Sequence, residues 1–392
     1  MVKRLVAIGF IFACTSAAWI ILGSTVNIRT NSTEDHLQGR VQSVWGMPQV
    51  QTAPSAELNG QLKPPSASDV GVDLQLEHRR KGLLWYSTYK VGFVGDYEFQ
   101  NPFTAPQAMR LTLPLPASQA VYDDLQFLVN GQAEVPVIEK ERAYVDVNVP
   151  ASQIVKLRVG YRSQGLESWR YSFGKVMNAV SNFHLRMNTN FRDIDFPDNT
   201  LAPPGKRETP DGWQLDWTYK NLLSGYDIAV AMPEKVQPGP LATQISFFAP
   251  VSLFFFFFLM YIITMMQGRE LHPMNYFFLA CAFFAFHLLL AYLADHVDIF
   301  LSFGISAAVS VFLVVSYLRI VAGPRFALRE AALTQFVYLI LFSGAFFFRG
   351  YTGLTITIGS ILTLFIVMQL TARISWQERF SSAAPIPPIP VR

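Results

Sequence analysis

The sequence predicts a membrane protein with six transmembrane α-helices, one N-terminal and five C-terminal. A large all-β, antiparallel sandwich-like extracytoplasmic domain is inserted after the first. Three observations predict it: six apolar runs free of Lys, Arg, Asp and Glu; a long polar stretch between the first two of them; and a period of two within that stretch. The chain of 392 residues is 51% hydrophobic and 15% charged, and its Phe residues crowd the last third. That skew separates an aqueous part from a part in lipid.

The runs are 5–22, 245–266, 273–294, 299–318, 331–348 and 352–370. Each approaches the roughly 20 apolar residues that a helix needs to cross the hydrocarbon core. The first, LVAIGFIFACTSAAWIIL, follows Lys3-Arg4 and carries the small patch Ser16-Ala17-Ala18. Trp19 to Leu22 continue the apolar run past that patch, which favours an uncleaved anchor over a signal peptide. Residues 1–23 therefore form the anchor, and 245–371 a five-helix bundle. The tail 372–392 (ending SSAAPIPPIPVR) is Pro-rich and, on this reading, cytoplasmic.

Charge sets the orientation. Outside 24–244 the cations are Lys3, Arg4, Arg269, Arg319, Arg325, Arg329, Arg349, Arg373, Arg379 and Arg392. With both termini inside, only Arg349 lies outside, as the bias of positive residues toward the cytoplasm requires. Residues 24–244 then lie in the periplasm, as does the loop Asp295-His296-Val297-Asp298. The excess of positive charge follows topology, so nucleic acid is not an expected partner; the lipid bilayer is, together with an envelope or membrane protein.

Residues 24–70 are polar and contain Pro48, Pro54, Pro64 and Pro65, the composition of a linker or arm. From Val72 the alternation begins, and residues 71–244 read as the β-domain. Val72, Leu74 and Leu76 share a face, as do Leu111, Leu113 and Leu115. Leu125, Phe127 and Val129 lead into Asn130-Gly131, a hairpin signal because both turn positions favour positive φ. Val145, Val147 and Val149, then Val155, Leu157, Val159 and Tyr161, then Trp213, Leu215 and Trp217 continue the pattern, with Ile228, Val230 and Met232 closing the set. Strict alternation means one buried and one wet face.

Motifs for chemistry are sparse. The only two cysteines, Cys14 and Cys281, fall in predicted spans, so the β-domain has no disulfide or thiolate site. Asp193, Asp195 and Asp198 cluster in RDIDFPDN without the glycine and spacing of a calcium loop. There is no G-x-S-x-G, H-E-x-x-H or phosphate loop. No catalytic, cofactor-binding or metal-ligating residue is expected, and neither is enzymatic activity.

The polar residues in the membrane half are more informative. At helical spacing, His272, Tyr276, Ala280, Phe283, His287, Ala291 and Asp295 form one stripe on the third span. His272 and Pro273 suit a helix start. His287 lies deep in the span, where a polar group faces other helices or a wet cavity. It serves either as an inter-helix hydrogen bond, to Tyr338, Gln335 or a hydroxyl of the sixth span, or as part of a transport or lipid-handling site. Arg349, beside Asp295, His296 and Asp298 on the outer side, is expected to pair with one of the two acids.

The layout of one span, an exported domain and five closely spaced spans resembles the CreD family of bacterial inner-membrane proteins. The segment RELHPMNYFFLACAFFAFHLLLAYLADH resembles that family's Arg-x-Leu-His-Pro-Met segment, through Arg269, Leu271, His272, Pro273, Met274, Tyr276, Leu289, Leu290 and His296. The resemblance continues more loosely to residue 370. It implies a role in envelope integrity tied to a stress response, and no established catalytic activity. The expected function is binding of an envelope component or membrane partner through the β-domain. The alternatives are a transporter or lipid-handling protein centred on His287, or a ligand sensor acting through a separate partner.

Overall fold

The computed structural model describes residues 2–81, 84–117, 120–174, 180–348 and 350–372, the side chains of 2 and 33–38 excepted. The chain divides into two compact units. One comprises Met1–Thr33 and Val236–Arg392, the other Glu34–Lys235.

The first unit contains six helices long and apolar enough to cross a membrane: Lys3–Ser32, Pro238–Met266, Pro273–Leu293, Ile299–Val321, Pro324–Phe347 and Thr352–Thr371. Three of them, the first, second and fifth, extend seven or more residues beyond the apolar runs. The first continues past Leu22 because Val26 and Thr30 are buried against neighbours in the unit. The second starts at Pro238, where a proline at the helix start gives up only an N–H that has no partner anyway. A Cβ on Gly239 would lie 2.3 Å from Thr30 Oγ1, so the Thr30 side chain packs directly on the backbone of the second span. The fifth begins at Pro324, and its exposed Arg325 and Arg329 occupy the first turns. The five-phenylalanine run splits between faces: Phe256 and Phe257 are buried, Phe254 and Phe258 exposed.

The second unit is built from three sheets that share one core. An eight-stranded sheet runs in the order Gly205–Glu208, Trp213–Leu222, Val180–Thr189, Ala67–Lys81, Leu84–Gln100, Ile154–Leu166, Asp123–Val129, Gln132–Ala133. A five-stranded sheet has Gln107–Pro114 at its centre, and a three-stranded sheet has Ser168–Ser172. The alternation read from sequence holds. Val70, Val72 and Leu74 point inward between exposed Asp69, Gly71 and Asp73. Asn130 and Gly131 both adopt positive φ, at 50° and 81°, and close a hairpin that pairs Val129 with Gln132.

Two features differ from the sequence-based expectation. The sheets are mostly antiparallel, but Val180–Thr189 pairs parallel with Ala67–Lys81, and Gln49–Thr52 pairs parallel with Ser168–Ser172. Residues 24–70 are no linker: the first helix runs on to Trp45, and strands Gln49–Thr52, Ser55–Leu58 and Gln61–Lys63 follow. The polar composition misleads because the buried side chains are themselves polar. Gln49 and Gln51 are fully buried. Gln49 Nε2 donates to Ser163 Oγ and to the Gln164 carbonyl, both at 2.9 Å. Gln51 Oε1 accepts from Tyr161 at 2.7 Å, and its Nε2 donates to the Pro114 carbonyl at 3.1 Å. Hydrogen bonds offset the cost of burial here, and no apolar periodicity announces the strand. Consequently the second unit begins near residue 34, well before the expected 71.

Gly46 ends the helix at φ 95°, a left-handed position that suits glycine. A Cβ there would also lie 2.5 Å from the Gln164 carbonyl oxygen, a backbone atom that cannot swing away. Gly46→Ala should therefore cost about 2 kcal/mol or more. The thermal midpoint of the β circular-dichroism signal should fall, with the α-helical signal changing little at room temperature.

Candidate functional site

The third span carries the polar stripe. His272 sits at its start, exposed, and its Nδ1 accepts from Met274 N at 3.3 Å. It acts as the cap of this helix. Tyr276, Ala280, Phe283, His287 and Ala291 are all buried. His296 is exposed in the turn after the span.

His287 makes no bond to Tyr338, Gln335 or the sixth span. Its Nδ1–H donates to the Phe283 carbonyl, four residues back in the same helix, at 2.9 Å. A carbonyl can only accept, so this contact fixes the neutral tautomer with the proton on Nδ1. Nε2 is left buried without a partner among the described residues. Aromatic rings enclose the imidazole. Trp19 of the first span meets it edge-on at 5.7 Å, and Phe286 at 4.9 Å. Trp19 itself is fully buried, packs on Phe284 at 5.2 Å, and has an Nε1–H without a partner among the described residues.

The residues expected to bond His287 find other partners. Gln335 Nε2 donates to Ser310 Oγ at 2.9 Å, and Ser310 donates to the Ala282 carbonyl at 2.7 Å. This chain ties the fifth, fourth and third spans. Tyr338 donates to Thr363 Oγ1 at 2.8 Å, tying the fifth span to the sixth. The fifth span contains two π-helical segments, Ala327–Ala331 and Phe336–Leu341. Such segments disturb the regular carbonyl pairing, and Ser252 of the second span donates to the Tyr338 carbonyl inside one of them.

At the other end of the stripe, Asp295 has a partner that sequence reasoning missed. Arg29 of the first span forms a fork with it, at 2.8 Å from Nη1 to Oδ2 and 3.2 Å from Nη2 to Oδ1. Nη2 also donates to the Ala291 carbonyl at 3.0 Å, and the guanidinium lies 5.4 Å from the Tyr292 ring centre. Asp298 caps the fourth span, accepting from Phe300 N at 2.9 Å and Leu301 N at 3.4 Å. The pairing expected of Arg349 concerns a residue outside the described ones, as does the tail from residue 373. Arg29 lies in the stretch whose composition is that of a linker, so sequence alone does not set its charge against Asp295.

The wet face of the eight-stranded sheet is a second candidate. Its charges pair across strands: Lys156 with Glu98 at 3.4 Å, Arg158 with Asp96 at 3.5 Å, and Lys90 with Glu77 at 2.6 Å. The Lys90 ammonium and the Arg79 guanidinium hold the Glu77 carboxyl below the usual carboxylate range. His184 Nδ1 lies 2.7 Å from Asp69 and Nε2 3.6 Å from Asp216. Among these charges the floor is bare. Gly71, Val94 and Gly160 sit side by side across three strands, and Gly92 lies beside them, opposite Asp73 and Arg162. A Cβ on any of the three glycines would meet nothing closer than 3.4 Å, so packing does not require them. A strand glycine without a packing reason marks a bulge, a bend or a place where something approaches the backbone closely. The pairing with Asp123–Val129 shifts register between Gly160 and Arg162, while Gly71 and Gly92 lie in regular pairing. A cleft of about 660 Å³ opens beside them, lined in part by Asp73, Lys90, Gly92, Asp123 and Arg162. Asp193, Asp195 and Asp198 are solvated, and Asp195 contributes its carbonyl to Ala231 N at 2.9 Å. His78 Nε2 lies 2.9 Å from the Pro233 carbonyl.

The model for the family described as inner membrane protein CreD matches residues 175–377, just over half of the chain. The chain belongs to the CreD family. The match extends well upstream of the Arg-x-Leu-His-Pro-Met segment, through the strands between Val180 and Ala231 and all five C-terminal spans. It stops short of the CreD chain's first span and the strands that precede residue 175. No curated protein matches the chain. Solved structures with some likeness include a Legionella pneumophila protein described as nutrient binding, 11% identical, with 51% of this chain and 74% of that one covered and a TM-score of 0.35. An M1 zinc metallopeptidase from Deinococcus radiodurans is 13% identical, with 42% of each covered and a TM-score of 0.24. Its mutant bound to a peptide substrate is 10% identical, with 81% of this CreD chain and 90% of that one covered and a TM-score of 0.27. At such scores none of them bears on what this CreD protein does.

Proposed function

We propose that this CreD-family protein supports envelope integrity by binding, without catalysis, an envelope component or a membrane partner on the glycine-floored face of its β unit. On this reading both termini are cytoplasmic and the β unit is periplasmic, as the positive residues at the span ends favour. The contrast between the two candidate sites supports the choice. His287 is packed round by aromatic rings with its proton committed to its own helix, whereas the sheet presents a bare floor within a ring of charges.

The test is rescue of a deletion strain of the source bacterium, scored by detergent and dye sensitivity. Full-length protein and His287→Leu should both restore the barrier. Gly160→Gln, which fills the floor from its wet side, should fail while inserting and melting normally. A chain with residues 34–235 replaced by a short linker should also fail. Rescue by Gly160→Gln together with failure of a stably inserted His287→Leu would move the function into the membrane.

A further inference from the structure

The first and second spans run side by side with opposite chain directions, yet their seam is open at one end. On the first span, Leu5, Ile8, Gly9 and Phe12 follow the i, i+3, i+4, i+7 spacing of one helix face. On the second, Phe254, Phe258 and Tyr261 face them. Phe12 closes one end against Phe254, edge-on at 6.0 Å. Arg4 marks the other, its guanidinium 5.7 Å from the Tyr261 ring centre. Between them Gly9 leaves the floor without a side chain, and nothing lies within 4 Å of where its Cβ would be. The result is an apolar groove of about 190 Å³. Over seven residues it is about 10 Å long.

The two ends differ in chemistry. The groove is lined almost wholly by hydrocarbon, inside a segment that spans the membrane. Its mouth carries Arg4 and the neighbouring exposed Lys3. The Arg4 Nε–H is buried and finds no acceptor among the described residues. Tyr261 beside it is an interfacial residue type, with an apolar ring and a polar tip. A hydrocarbon tail below a cationic mouth with a spare donor matches a molecule with an acyl chain and an anionic head.

We infer that this seam is a binding site for an anionic phospholipid: one acyl chain lies over Gly9 between Phe12 and Leu5, and the phosphate is held by Arg4 with Lys3 beside it. Phosphatidylcholine carries the same phosphate together with a quaternary ammonium that the cations of Arg4 and Lys3 repel, so it fills the groove more weakly than a lipid of net negative charge. Gly9 provides the space and Arg4 the preference.

The experiment uses the full chain in nanodiscs of mixed phosphatidylcholine and phosphatidylglycerol. A trace of either lipid carries a photoreactive group on its acyl chain, and labelled peptides are mapped by mass spectrometry. Phosphatidylglycerol should label residues 5–12 and 254–261 about fivefold more than phosphatidylcholine does, the ratio expected for one cation at a membrane surface. Arg4→Gln should remove most of that ratio and leave acyl labelling in place. Gly9→Leu, whose Cβ meets nothing within 4 Å, should remove labelling at both segments for both lipids. Labelling of the seam no stronger than that of the exposed sixth-span residues Ile361 and Phe365 would overturn the proposal. So would a headgroup ratio unchanged in Arg4→Gln.

Discussion

Trp169→Ala should cost the β unit about 3–5 kcal/mol, the usual range for emptying a large aromatic site in a well-packed core. Trp169 is fully buried in Ser168–Ser172, the central strand of the three-stranded sheet. Its neighbours on either side are Gln49, in the parallel pairing, and Val230, in the antiparallel one. Its ring leans on Phe93 of the eight-stranded sheet, 6.4 Å away, so the cavity would open where two sheets meet. For a unit of this size the thermal midpoint should fall by about 10 °C. Trp169→Phe separates packing from polarity. The indole Nε1–H is buried without a partner among the described residues, and phenylalanine removes that donor while keeping most of the volume. It should cost less than about 1.5 kcal/mol. Far-ultraviolet melts of the intact protein in detergent would measure both. A phenylalanine variant as damaged as the alanine one would mean that the indole edge holds a bond of its own.

Breaking the Arg29–Asp295 fork should loosen the first span from the third. The side chains are 31% and 19% exposed, between the surface case, worth little, and the buried case, where removing one partner is strongly destabilising. Asp295→Ala should therefore cost roughly 1–3 kcal/mol, because Arg29 would keep only the Ala291 carbonyl and the Tyr292 ring of the contacts described above. The exchanged pair, Arg29→Asp with Asp295→Arg, should recover more than half of the loss. A disulfide engineered between the two spans would read this out by its rate of formation. The single variant should slow it and the exchanged pair restore it. An exchanged pair as slow as the single variant would show that geometry rather than charge holds the spans.

The sequence made the six spans legible because lipid demands long uncharged runs, and the strands legible where a buried face is apolar. Where the physics departed from those two signals, reading failed. The strand Gln49–Thr52 buries amides, so nothing alternates in hydrophobicity. The first helix outlasts its apolar run because Arg29 finds its acid within the same unit. The fifth span starts early because exposed arginines are tolerated in its first turns. The polar stripe on the third span was legible as a face, since a period of 3.6 residues is a property of the chain alone. Which partner each polar group takes was not. Gln335 chose Ser310, Tyr338 chose Thr363, and His287 kept to its own helix, and each choice depends on which spans pack together. The bare floor of Gly71, Gly92 and Gly160 was equally hidden, because strand pairing alone brings three glycines together from three parts of the sequence.

The two parallel pairings also dictate when the β unit can be finished. Gln49 waits for Trp169, and Ser68 waits for Phe183. The strand that flanks Trp169 on its other side, Ile228–Ala231, comes almost at the end of the unit. Contacts this distant in sequence make folding slow, because the loop must close before any of them forms. During synthesis Gln49–Thr52 therefore remains without its partner until Ser168–Ser172 has emerged, and one edge of Ala67–Lys81 stays open until Val180–Thr189 has. The buried amides of Gln49 and Gln51 cannot be satisfied before Tyr161, Ser163 and Gln164 arrive. Completion of the unit thus coincides with the appearance of Pro238, where the second span begins.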